Sequence, residues 1–256
     1  EIADRDWSSD VCSSDLLGLA VFLFSVFLAA GAFAAEESYI LKEGKVYRVE
    51  AGKETLLEDT EPGRSNTDKG LYSWILVDPE LSGKMQGSKS GIYFFLGEDE
   101  KPAGFMPLEA AGLSGLLFSS DGEKFLLSWG ADAVQELSLY AFEGFVKKVS
   151  FTALGPCTWI DPHRFVFTRD DTSKGSRGKA VEQQGGWLSA ALYDSVMEEL
   201  FVLVEATETQ DCILTGVDHE KCVLEVLERS VKDKKDWDDA EKVEEKETTI
   251  PIPAAG

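Results

Sequence analysis

An all-β protein assembled from repeated four-stranded antiparallel units is what this 256-residue sequence predicts, on three observations. Short runs of β-branched, aromatic and aliphatic residues alternate with Gly, Asp and Pro, the punctuation of strands and turns rather than helices. The stretch Asp121-Gly-Glu-Lys-Phe-Leu-Leu-Ser128 returns forty positions later as Asp161-Pro-His-Arg-Phe-Val-Phe-Thr168, and more weakly as Asp218-His-Glu-Lys-Cys-Val-Leu-Glu225. Around the first copy the order is strand, Asp turn, strand, loop, strand, Gly turn, strand, which is one blade of about 40–45 residues. The fold expected is therefore a β-propeller-like array of four-stranded antiparallel blades. At that blade length, residues 36–256 make about five blades or an incomplete ring.

The N-terminus is expected to stand outside this domain. Asp6-Trp-Ser-Ser-Asp-Val-Cys-Ser-Ser-Asp-Leu16 is similar to one reading frame of a common sequencing-adapter oligonucleotide, so residues 1–16 are read as adapter-derived. Residues 17–35 read as a signal peptide: an uncharged apolar run from Leu17 to Ala30, then a small-residue exit at Ala32-Phe33-Ala34. The run is shorter than the roughly 20 apolar residues of a membrane span, and no Cys follows it to carry a lipid. Residues 36–256 are then one exported domain, periplasmic or secreted, with no stable membrane span after cleavage.

Within that domain the elements follow in order. Tyr39 to Val49 forms a hairpin about Glu43-Gly44, and Thr55 to Leu57 adds a strand after a turn at Ala51-Gly52. Residues 58–70 are polar and read as loop. Leu71 to Val77 is a buried strand stopped by Asp78-Pro79, and 81–90 is a Gly/Ser/Lys loop. Gly83 to Ser90 departs from the phosphate-loop spacing, with three residues between its glycines and Ser88 before Lys89. Ile92 to Leu96 is a strand; Gln135 to Phe142 alternates polar and apolar, turns at Glu143-Gly144, and returns as Val146 to Phe151. In the second unit Leu188 to Tyr193 and Glu199 to Val204 replay the last two strands. The third unit opens at Cys212 to Val217, and Thr248 to Ile252 is placed to close the ring by pairing into the first blade. An alternative for the third unit is a helix over 221–246, because Val223, Leu224, Leu227 and Val231 also fit helical spacing.

Phe118-Ser-Ser-Asp-Gly-Glu-Lys-Phe-Leu-Leu-Ser128 followed by Glu136-Leu-Ser-Leu-Tyr140 resembles the blade repeat of TolB-like β-propellers, in which a Ser-Pro-Asp-Gly turn joins two strands. Ser120 stands where that Pro would be, and Pro162 follows Asp161 in the second copy. The resemblance covers residues 112–230 and, weakly, 39–57. It implies a scaffold used by interaction proteins, lectin-like binders and the non-catalytic propeller of some peptidases. It carries over no functional residue.

Net charge narrows the partners. The chain carries −22; residues 1–35 contribute −4 (Glu1, Asp4, Asp6, Asp10 and Asp15 against Arg5), which leaves −18 for the rest. A surface so acidic repels phosphate backbones, so nucleic acid is disfavoured and another envelope protein or peptide is the partner expected. No cofactor or metal is expected. The two histidines, His163 and His219, both occupy repeat turns without close Cys or Asp ligand spacing, and Asp170-Asp171 and Asp238-Asp239 lack an ordered oxygen-ligand pattern. Cys212 and Cys222 flank one hairpin and form a disulfide only with a shifted register, since the first unit's register puts Cys212 nearer Glu225. The second and third Asp anchors stand 57 apart rather than 40, and the excess lies in 170–186. Repeat arrays carry such inserts on one face, so Asp170, Asp171, Lys174, Arg177, Lys179, Gln183 and Trp187 are the candidate binding residues. The leading expectation is a non-catalytic binding or scaffold protein. The competing one is an extracytoplasmic glycosidase-like hydrolase using acids from different blades, such as Asp99, Asp132 and Asp170.

Overall fold

The computed structural model describes residues 38–42, 45–56, 63–77, 91–108, 112–130, 134–174 and 186–254. The adapter-like and signal-like segments lie outside these residues. So do the Glu43-Gly44 turn and the loop at 81–90.

The described chain is all-β, seventeen strands in sequential antiparallel order. A three-stranded sheet comes first: β1 (Ser38–Lys42), β2 (Lys45–Glu50) and β3 (Lys53–Leu56). The four-stranded sheet that follows is β4 (Gly63–Thr67), β5 (Gly70–Val77), β6 (Gly91–Leu96) and β7 (Lys101–Pro107). Next is a seven-stranded sheet: β8 (Leu113–Phe118), β9 (Lys124–Trp129), β10 (Val134–Ala141), β11 (Val146–Trp159), β12 (Arg164–Asp170), β13 (Leu188–Asp194) and β14 (Glu199–Val204). A last three-stranded sheet holds β15 (Gln210–Asp218), β16 (Val223–Ser230) and β17 (Glu244–Pro251).

The seven-stranded sheet is two blades sharing one strand. Residues up to Leu154 of β11 pair with β10, and Cys157 onward pairs with β12, with a register shift between Leu154 and Cys157. Gly155 at the break has φ +70°, a left-handed conformation that a residue with a Cβ adopts at a cost. From the sequence alone, Val146 to Phe151 and Cys157 to Ile160 read as two separate strands. The array is thus five blade-like units, three with four strands and the first and last with three described strands.

Middle strands are buried on both faces because a neighbouring blade covers each. β13 is buried at every position, which is why its sequence reads as a continuous small and apolar run. Alternation decides which neighbour each residue meets. Phe125 and Leu127 face β6 with Phe94 and Phe118, while Leu126 faces Phe165, Phe167 and Trp159 of the next unit. Phe125 lies 5.4 Å from Phe94 by ring centroid, and Phe165 lies 6.3 Å from Phe151, so both repeat phenylalanines pack between blades.

Four expectations are corrected. Residues 63–67 are strand β4, not loop: their alternation involves Gly63, Arg64, Ser65, Asn66 and Thr67, polar residues that carry no hydropathy signal. β7 was not anticipated, because Pro102, Gly104 and Pro107 read as breakers, but an outermost strand tolerates them. The possible helix over 221–246 is β16 followed by two short 3-10 turns, at Lys234–Asp238 and Ala240–Lys242. β17 pairs along its whole length with β16, from Val223↔Pro251 to Ser230↔Glu244, and does not close the ring onto the first sheet.

The disulfide is corrected too. Cys212 pairs with Glu228 across the hairpin, not near Glu225, because the pairing runs down to Asp218↔Val223 at a tighter turn than in the first unit. Cys222 sits in the turn, beside the Asp218↔Val223 pair, six strand positions away. That is about 20 Å along a strand, far beyond the roughly 7 Å limit between bridged Cα atoms. All three described cysteines are free thiols. Burial pushes the Cys157 thiol up to about 11 and the Cys212 thiol up to about 12, so both stay protonated at neutral pH.

Candidate functional site

The repeat turns define one end of the array. In each, the Asp side chain caps its own turn and pairs with the base three residues on. Asp121 Oδ1 accepts from Glu123 N at 3.0 Å and from Ser119 Oγ at 2.6 Å, with Lys124 at 3.9 Å. Asp161 Oδ1 accepts from the backbone N–H groups of His163 and Arg164, both at 2.8 Å, and Oδ2 from Arg164 Nε at 2.5 Å. Asp218 Oδ1 accepts from Lys221 N at 3.0 Å, and Lys221 Nζ lies 2.6 Å from Oδ2. These turns also touch one another. Asp68 N, in the β4–β5 turn, donates to Ser120 O at 2.6 Å; Lys124 Nζ lies 3.3 Å from His163 Nδ1; Arg164 Nη1 donates to Pro253 O at 2.7 Å. The β4–β5 turn Thr67-Asp68-Lys69-Gly70 therefore lies at the same end as the repeat turns, and the sequence did not show it because its flanking strand β4 is polar.

This hinge face is a structural device with a pH signature. Burial alone raises the Asp161 carboxyl, but its bond from Arg164 and two backbone N–H groups outweigh that and hold it below the usual range. At Asp121 burial is likewise outweighed, by Ser119 and Glu123 N–H. Asp218 is lowered first by its Lys221 partner. A carboxyl whose folded pKa is depressed stabilises the fold above its unfolded pKa, near 3.9, and loses that contribution as pH falls through the folded value. We expect the melting temperature to drop as pH is lowered from about 5 to 3, and Asp161→Asn to flatten that drop. A pH series of thermal melts on both proteins checks it.

The opposite end carries the long connections. Because successive connections in an antiparallel meander alternate ends, β5–β6 (78–90), β12–β13 (171–187) and β16–β17 (231–243) all leave from the face away from the Asp turns. The base of the 171–187 connection is built from sequence-predicted residues. Asp170 is buried, and its Oδ1 accepts from Gly186 N at 3.2 Å and Trp187 N at 3.0 Å, so it closes the loop. Asp171 Oδ1 accepts from Ser173 Oγ at 2.5 Å and lies 3.8 Å from both Arg169 and Lys174 through its carboxylate. Lys174 Nζ reaches Glu205 at 3.0 Å and sits 5.3 Å from the Trp187 ring centroid. Arg177, Lys179 and Gln183 lie outside the described residues.

The charged stretch around Trp237 is anchored to the same face. Trp237 is fully buried, and its indole N–H donates to Glu208 O at 2.8 Å. Above it, 5.9 Å from the ring centroid, lies Arg229, which makes two bonds to Asp211, 3.0 Å through Nε and 2.7 Å through Nη2. The chain 205–208 links Glu205, beside Lys174, to Glu208, beneath Trp237. The two places where the repeat is broken therefore adjoin on one surface. Trp237 was missed as an anchor because its sequence neighbours are Asp and Lys.

Asp99, in the β6–β7 turn, and Asp170, at the end of β12, stand at opposite ends of their sheets, so they do not converge as a hydrolase would need; Asp132 lies outside the described residues. Asp170 has its carboxylate occupied by backbone donors. His163 and His219 are both exposed turn residues, and no group of three metal-ligating side chains occurs among the described residues. Among them too, no helix is long and apolar enough to cross a membrane.

No family model and no curated protein matches the chain. Solved structures that resemble it include Kuenenia stuttgartiensis hydrazine synthase, at 14% identity over 82% of this chain and 57% of that chain, TM-score 0.42. TolB from Acinetobacter baumannii resembles it at 13% identity over 89% of this chain and 54% of that chain, TM-score 0.39. A nidogen/laminin complex does so at 8% identity over 83% of this chain and 77% of that chain, TM-score 0.38. The chain spans somewhat over half the length of the first two. At these values the likeness is loose, and the propeller-like fold rests on the strand order and register above.

Proposed function

We propose that this chain is an exported, non-catalytic binding or scaffold protein of the cell envelope, and that its partner, another envelope protein or peptide, docks on the face opposite the Asp turns. One observation carries the reading: the 171–187 and 231–243 connections adjoin there, each held at its base by buried groups. Asp170 and Trp237 fix the two bases, while Lys174 and Trp187 stand at the rim. A rigid scaffold presenting long loops is the usual arrangement of a recognition surface. Arg177, Lys179 and Gln183 would add cationic and amide donors to it, in an otherwise acidic chain. The apolar 17–35 segment supports export, periplasmic or secreted.

The test is site-specific photocrosslinking in the native envelope. A photoreactive residue at Trp187 or Gln183 should trap a discrete partner, one at the hinge residue His219 should not, and removing residues 175–185 should abolish the adduct with little change in melting temperature. Equal crosslinking from both faces, or none from the loop, would sink the proposal.

A further inference from the structure

A second surface lies at the edge of the seven-stranded sheet. β14 is its last strand, and among the described residues nothing pairs with the outer edge. Free edges attract other chains, and proteins blunt them with charge and proline. The last strands of the other sheets do so: β3 with Lys53 and Glu54, β7 with Lys101, Pro102 and Pro107, β17 with Glu244, Glu245, Lys246, Glu247 and Pro251. β14 reads Glu199-Leu-Phe-Val-Leu-Val204, one charge at its start and then five apolar residues. Phe201 and Val202 are 37% and 40% exposed, and Val196 and Met197, in the turn before the strand, are 68% and 52% exposed. Beside them Leu192, Met197, Phe201 and Pro253 line a cleft of about 210 Å³.

The flanks of this strand are acidic. Glu198 and Glu199 stand at one end, and Glu205 and Glu208 follow the other. Glu198 and Glu199 meet no cation among the described residues, while Glu205 meets Lys174. We infer that β14 accepts an added strand from another protein, an extended segment with alternating apolar residues at its centre and Lys or Arg at both ends. Main-chain bonds to the free edge would hold the segment, the cleft would take one of its apolar side chains, and the acidic flanks would select its charge. A second copy of this chain does not fit. Two β14 edges paired antiparallel about a two-fold axis bring Glu198 and Glu199 of one copy opposite Glu205 of the other, at both ends, and like charges across strands destabilise. Net charges of −18 on residues 36–256 of each copy add long-range repulsion.

The probe is a labelled synthetic peptide, Lys-Lys-Val-Thr-Val-Thr-Val-Lys-Lys, titrated into the full chain and followed by fluorescence anisotropy. Binding is expected to weaken at least about tenfold when alternate peptide nitrogens are methylated, which keeps charge and side chains but removes main-chain donors. Glutamate in place of the four lysines should weaken it similarly, as should Val202→Lys in the protein. Absence of binding by the unmodified peptide overturns the inference, as does equal binding by the methylated one, which would mean charge attraction alone. So does a dimer by light scattering that Val202→Lys dissolves, since the edge would then belong to a second copy. If Val202→Lys lowers the melting temperature, the methylated peptide decides by itself. The loop-face proposal is unaffected by any of these results.

Discussion

Asp211→Ala is expected to lower the free energy of unfolding by about 3–5 kcal/mol, and the melting temperature by roughly 10 °C. Asp211 is fully buried and faces Arg229 directly across β15 and β16. Removing the carboxylate takes two bonds from a guanidinium whose side chain is 4% exposed, and a buried charge that loses such bonds has its desolvation cost less well compensated. The pair itself contributes less than that loss suggests, because both ions were taken out of water to form it. The double substitution Asp211→Leu with Arg229→Met should therefore recover most of the stability. Denaturant melts of the single and double variants measure this, and a double variant as unstable as the single one would contradict it. The loss should also reach the loop face, since Arg229 lies over Trp237. Fluorescence of the buried indole should shift to the red in Asp211→Ala as its cover loosens.

Phe125→Ala is the second large effect, about 3–5 kcal/mol by chemical denaturation. Its ring is fully buried between two blades, 5.4 Å from Phe94, 5.6 Å from Phe118 and stacked 5.4 Å from Tyr140. Those partners come from β6, β8 and β10, so the cavity opens at a junction that no one sheet can close by itself. Val146→Ala, half-exposed at the start of β11, is the control and should change stability by no more than about 0.5 kcal/mol. A Phe125→Ala loss no larger than the control's would mean the inter-blade cluster contributes little.

The same residues show how far the sequence could be read. Asp121, Asp161 and Asp218 were legible as turns because an Asp cap, a base and an apolar strand recur as local chemistry. At all three the carboxylate accepts from backbone N–H groups two or three residues on, which follows from that. Phe125 and Phe165 were legible as inter-blade packing because period two sets the facing of a strand. Asp68 was not, since Gly63–Thr67 is a strand by pairing alone and its side chains carry no apolar signal. Of the candidate site, Asp170, Asp171, Lys174 and Trp187 were found as a break in the repeat. The bonds that Asp170 accepts from the Gly186 and Trp187 N–H groups were not legible, because those donors stand 16 and 17 residues further along the chain.

What the sequence determined by itself is therefore the all-β class, the blade order and the hinge turns, because each depends on contacts between residues near one another along the chain. The tertiary structure decided everything that depends on distant partners. It merged two predicted strands into β11 through a bend at Gly155-Pro156, and kept β17 on β16 instead of returning it to the first blade. It placed Cys212 far along β15 and Cys222 in the turn that ends it. It buried Trp237 among charged neighbours, because the Glu208 carbonyl and Arg229 that receive it come from elsewhere in the fold. And it left β14 as an apolar edge, a property of strand order that no stretch of residues states alone.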